Sequence, residues 1–130
     1  MNKPAERRAP SPDYRAPTTI MTRTLLTDFE LMILLATLRI GEEAYGVEIA
    51  REIEVTGGRT VLLGAVYAAL ERLERNGLMA SRLGEPTGER GGRAKRFFRV
   101  TPRGLRGIKE TQRALVSLWN GIPELKERRT

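Results

Sequence analysis

The chain has 130 residues, a formal net charge of +7, no cysteine and no histidine. That excludes disulfides, thiolate metal ligands and imidazole general bases, so an enzyme here would have to work with carboxylates, Lys, Tyr or Ser, and no pair of these stands out. With neither an apolar signal core nor a membrane-length apolar run, the expected setting is the cytoplasm, with no membrane contact, cofactor or metal.

Residues 1–23 hold four of the seven prolines and little apolar content. They read as a disordered basic arm that either touches a polyanion or is merely solvated. Thr27 followed by Glu30 has the form of a capping box, opening a helix DFELMILLATLRI that is apolar almost all round. One face of it can pack on its own domain; the rest calls for another cover, and a partner subunit reaching Leu31 and Leu35 is the economical choice. Gly41-Glu42-Glu43 is a turn, and a second helix over Ala44–Val55 carries Tyr45, Ile49 and Ile53 four apart before Thr56-Gly57-Gly58 closes it. Arg59–Leu62 reads as a short strand rich in β-formers.

The next helix, Leu63–Leu78, places Leu63, Val66, Leu70 and Leu73 on one face. Gly64, Ala68, Glu71, Arg72 and Arg75 fall opposite, with Tyr67 on the flank, and Asn76-Gly77 is a helix stop. An ordinary amphipathic core helix has the same spacing. The low outer surface of Gly64, Ala65 and Ala68 nevertheless suits close approach to a bulky object such as a DNA groove. Leu78–Leu83 and Ala94–Val100 read as strands of a hairpin whose tip, Glu85–Arg93, is glycine-rich and polar. Thr101-Pro102 opens a last helix. On it Leu105, Ile108, Gln112, Leu115, Trp119 and Ile122 form a heptad seam, which Pro123 ends. That seam is a candidate dimer interface.

Charge is distributed unevenly: residues 1–27 carry +3, 28–77 carry −4, 78–109 carry +7 and 110–130 carry +1. In the third segment nine basic side chains face two acidic ones, so internal pairing cannot neutralise it. A local basic excess beside an acidic body is the footprint of a polyanion binder. Arg93, Lys95 and Arg96 lie within it. Arg72 and Arg75 either reach guanine edges or phosphates, or pair with neighbouring glutamates on a solvated face.

The order of helices, strands and basic loop is that of a winged helix-turn-helix, mainly α with one small hairpin. In detail, LLGAVYAALERLERNGLM, ELMILLATLRIGEEAYGVEI and GGRAKRFFRVTPRG resemble, in that order, the recognition helix, the first two helices and the wing of PadR-like transcriptional regulators. The resemblance covers residues 25–122 and implies a DNA-binding domain over 24–101 and a dimerisation helix over 102–123, between the compositional arm over 1–23 and a charged tail over 124–130. It implies a homodimeric repressor on double-stranded DNA, with Leu63–Asn76 in a major groove, Tyr67 near the backbone and Arg93, Lys95 and Arg96 on the wing. Trp119 is then either dimer core or a platform for a small planar effector. Two departures stand out: Leu62 occupies a place where relatives often carry a capping Ser, and Phe97-Phe98 replaces a common Tyr pair. The rival reading is a non-specific DNA-coating or architectural protein.

Overall fold

In the computed structural model, which describes residues 26–85 and 94–126, Thr27 opens helix α1 (Asp28–Ile40) through the capping box expected of it. The Glu30 N–H donates to Thr27 Oγ1 at 3.1 Å and the Thr27 N–H donates to Glu30 Oε1 at 3.0 Å. The basic arm, Arg93 and residues 127–130 of the charged tail lie outside the described residues.

Helix α2 (Gly46–Gly57) starts two residues later than its periodicity implies. Ala44 is committed elsewhere: its carbonyl accepts the Phe98 N–H at 2.8 Å, and Tyr45 stays extended as the N-cap. At the far end Gly58 adopts φ +72° and its N–H reaches back to the carbonyls of Ile53 and Glu54, as a left-handed C-terminal glycine does.

Helix α3 (Leu63–Arg75) turns Val66, Ala69, Leu70 and Leu73 into the core. These four span an arc of about 100° at 3.6 residues per turn. Leu63 lies outside that arc, in the first turn, and is 41% exposed; Ala69 takes the inward place instead. The helix stops at Asn76, where the Leu78 N–H bonds to Leu73 O at 2.9 Å and the Gly77 N–H to Glu74 O at 3.0 Å. Gly77 sits at φ +81°, and together these features make a Schellman motif.

Strands β1 (Met79–Leu83) and β2 (Arg96–Val100) pair antiparallel, from Met79 against Val100 to Leu83 against Arg96. The expected strand at Arg59–Leu62 does not form. The third contact of the sheet comes from Ala44, bridged to Phe98. Arg59 and Thr60 are exposed and Leu62 serves as the N-cap of α3, so that segment links helices rather than extending the sheet.

Helix α4 (Pro102–Trp119) has Thr101 as N-cap: its hydroxyl accepts the Gly104 N–H at 3.0 Å and donates to Gly77 O at 2.7 Å. This ties the end of α3 to the start of α4. Gly104 and Thr111 are buried and Ile108 half-buried, so this face of α4 packs on its own domain. The helix ends at Trp119, four residues before Pro123, and Gly121 turns to φ +85°. Ile122 therefore falls off the helical seam, in front of a 3-10 turn at Pro123–Leu125.

The core lies where α1, α2, α3 and the hairpin meet. Ile33, Leu34, Ile49, Leu70, Leu73 and Met79 are its most deeply buried large members, with Phe98 beside them. Helix α1 buries Ile33, Leu34, Ala36 and Thr37, yet Leu35 and Leu38 remain over 40% exposed. The all-round apolar character read in its sequence thus leaves one side uncovered by the described residues.

Candidate nucleic-acid interface

Gly64, Ala65 and Ala68 are all exposed on α3, and a methyl added at Gly64 would meet open space. The outer face at the start of this helix is low because its side chains are absent or small. Leu62 makes no side-chain cap hydrogen bond, so no N-cap side chain supplies an acceptor for the first amides of α3.

Tyr67 is 45% exposed, with its ring laid over Gly46 at the start of α2. Any side chain at residue 46 would occupy the space of that ring. The phenol is therefore held at the angle between the two helices.

The two arginines of α3 separate. Arg75 is exposed and has no ion-pair partner among the described residues. Arg72 is half-buried, and its Nε donates to Glu30 Oε2 of α1 at 3.3 Å. It braces α3 against α1, a pairing that neither the groove reading nor local pairing with Glu71 or Glu74 anticipates.

On the hairpin, the alternation of a strand sends Lys95 and Arg96 to opposite faces. Arg96 Nη1 donates to Ser81 Oγ at 2.9 Å, and Ser81 Oγ donates to Glu74 Oε2 of α3 at 2.7 Å. These two hydrogen bonds fasten the hairpin to α3. Lys95 lies on the other face, its Nζ 4.6 Å from the centroid of the Tyr45 ring. Arg82, cross-strand from Phe97, stacks its guanidinium 4.8 Å from that ring's centroid and donates to the Glu42 carbonyl at 3.2 Å. Arg82, Ser81 and Tyr45 are the functional candidates that sequence reading passed over. Arg82 belongs to the basic excess of residues 78–109 but is not singled out by it, and Tyr45 and Ser81 acquire their partners through tertiary contact.

Behind α3, an open apolar groove of about 320 Å³ runs between α1 and α4, lined by Leu31, Leu35, Ile108, Gln112, Leu115, Val116 and Trp119. Leu115 is 45% and Trp119 58% exposed. Leu105 and Ile122, also placed on the seam by spacing, do not line this groove. Among the described residues, no cluster of acidic side chains could hold a metal ion, and no helix is long and apolar enough to cross a membrane.

Residues 34–110 match the family model of the transcriptional regulator PadR-like family. The transcriptional regulator Rv3488 of Mycobacterium tuberculosis is 37% identical over 76 residues, which is 58% of this chain and 66% of that protein. The chain thus spans just under two thirds of this relative's length. Among solved structures, a transcriptional regulator from Clostridium thermocellum superposes with a TM-score of 0.61 at 23% identity, covering 88% of this chain and all of that one. A PadR-like transcriptional regulator from Bacillus cereus gives a TM-score of 0.60 at 22% identity, over 78% of this chain and 93% of that one. The shared architecture is a winged helix.

Proposed function

The chain belongs to the PadR-like family of transcriptional regulators, and on that premise we propose that it is a sequence-specific repressor, binding a pseudo-palindromic operator as a homodimer. The observation that carries this reading is the low outer face of α3 beside a wing whose cations Arg82 and Lys95 rest on aromatic rings and have no carboxylate partner among the described residues. A face built from Gly64, Ala65 and Ala68 admits a helix to a major groove, where Arg75 is in place for base edges or phosphate. Helix α3 carries Arg72 and Arg75 against Glu71 and Glu74, so it is a weak source of polyanion affinity. The wing supplies attraction through Lys95, Arg96 and Arg93, while α3 and Tyr67 supply fit. The second half-site falls to a second copy docked along the α1/α4 groove, in which Trp119 also offers a stacking face to a small planar effector that releases the DNA.

Selection of binding sites from a random DNA pool tests this directly. A regulator prefers one pseudo-palindromic site over random duplex by about 10³ or more at fixed salt; equal affinity for all duplexes would identify a DNA-coating protein. Lys95→Ala should weaken binding on all sequences alike and flatten the salt dependence by about one unit of slope per lost contact. Loss confined to the selected site, with the slope unchanged, would mean that the wing reads bases.

A further inference from the structure

Four side chains from three separate segments meet on the outer face of the hairpin. Tyr45 comes from the turn before α2, Arg82 from β1, Phe97 from β2 and Lys95 from the residue just before β2. The Tyr45 and Phe97 rings pack edge to face, centroids 5.9 Å apart and planes at 86°. Arg82 covers Phe97 and Lys95 covers Tyr45. The order is therefore cation, ring, ring, cation.

Backbone contacts hold the same place. Phe98 bonds to Ala44 beside Tyr45, and the Gly84 N–H donates to the Lys95 carbonyl at 2.7 Å. A side chain at residue 84 would collide with the Phe97 ring, so the wing narrows there to let the ring lie flat.

What distinguishes this arrangement is the nature of the cations' partners. The described ion pairs engage Arg39, Arg51 and Arg72; neither Arg82 nor Lys95 is among them. A carboxylate would fix a cation and also cancel the charge that a phosphate must meet. A ring face fixes it through its quadrupole and leaves both the full charge and the outward N–H groups. Ordering a long side chain before the ligand arrives also lowers the cost of ordering it on binding.

We propose that Tyr45 is a positioning residue for DNA binding, which with Phe97 holds Lys95 and Arg82 on the wing as preordered, un-neutralised phosphate contacts; this rests on the DNA-binding reading above. The turn before α2 then does more than join two helices. It fixes where the wing's cations stand relative to the helix-turn-helix.

The test measures affinity of the full chain for a duplex carrying the selected site, across a salt series. Tyr45→Leu should weaken binding about two- to fivefold and lower the salt slope by about one. Lys95→Ala should do the same, and the double variant should be no weaker than either alone. Tyr45→Phe keeps the ring face and should restore both affinity and slope. The proposal is overturned if Tyr45→Leu binds as the parent does, if the two losses multiply, or if Tyr45→Phe is as weak as Tyr45→Leu. Failure of the parent chain to bind any duplex would overturn the functional reading and this one with it. A parent that binds while Tyr45→Leu is silent overturns the positioning role alone. Proton NMR supplies a reading independent of the leucine variant's folding: Lys95 Cε protons should be shifted upfield by the ring current in the parent and in Tyr45→Phe. Unshifted protons in the parent overturn the proposal.

Discussion

At the scale of single residues, Arg72 and Arg75 show how two side chains three positions apart acquire different work. Arg72 bonds to Glu30, 42 positions away in the chain, and that carboxylate's side chain keeps only 15% of its exposure. Arg75 is exposed and has no ion-pair partner among the described residues. Arg72→Ala should therefore cost stability, within about 1 kcal/mol for a partly exposed pair, and leave the salt slope of DNA binding unchanged. Arg75→Ala should leave thermal stability unchanged and weaken DNA binding. Thermal melts beside binding isotherms check both, and a DNA defect in Arg72→Ala equal to that of Arg75→Ala would return Arg72 to the groove face. The reason the sequence could not separate them is physical. Capping signals such as Thr27 with Glu30 act over three residues and are legible in one line of text; an ion pair across 42 residues depends on how α1 and α3 cross.

The same division holds for whole elements. Helix starts and stops written in local chemistry appear where they were read at Thr27, Thr101-Pro102 and Asn76-Gly77, and within Thr56-Gly57-Gly58 the stop falls on its last glycine. What was misread depended on neighbours, namely the Ala44 bridge that delays α2, the absent strand at Arg59–Leu62, and the outward turn of Leu63. Close packing of α4 was likewise hidden, although its agent, Gly104, was in view. A methyl at Gly104 would strike the Leu78 carbonyl and Val100, whereas one at Gly107 would make ordinary contact with Leu26 at 3.8 Å. Gly104→Ala should thus destabilise by about 1–3 kcal/mol, while Gly107→Ala should stabilise by roughly 0.5–1 kcal/mol through helix propensity. Opposite signs in urea denaturation would confirm that α4 docks by its N-terminal glycine. Helices α1 and α2, already packed through Ile33, Ile49 and Ile53, are also bridged at the surface by Glu52, whose carboxylate accepts from Thr56 Oγ1 at 2.6 Å and from Arg39 Nε at 2.8 Å. These bonds hold its carboxyl below the usual value of 4.5. A lowered folded-state value contributes stability above the unfolded value, and that contribution is lost as pH falls through the folded one. The difference in melting temperature between the parent and Glu52→Gln should accordingly be present at neutral pH and vanish in acid.

For the molecule as a whole, the question is what covers the side of α1 that the described residues leave open. Leu35, Leu115 and Trp119 are 42%, 45% and 58% exposed, and they line one groove rather than being scattered. Single exposed apolar residues need no explanation, but a contiguous patch marks an interaction site. A second copy fits it economically, because in a two-fold interface the seam of each α4 can fill the α1/α4 groove of the other. In the proposed homodimer such a pairing would set two α3 helices at a fixed separation, to which an operator with half-sites about 34 Å, one helical turn, apart would correspond. On that proposal each wing alone would bind weakly, and linkage of two half-site contacts would raise the affinity by effective concentration rather than by new contacts. Leu115→Asp and Trp119→Asp separate these effects. Both side chains already face water in the single chain, so each variant should keep its helical circular dichroism while sedimenting as a monomer. Each should also lose most of its affinity for the paired site and retain the parent's affinity for an isolated half-site. A dimer that survived both substitutions would remove the α4 seam from the interface and leave the exposed side of α1 to a different partner.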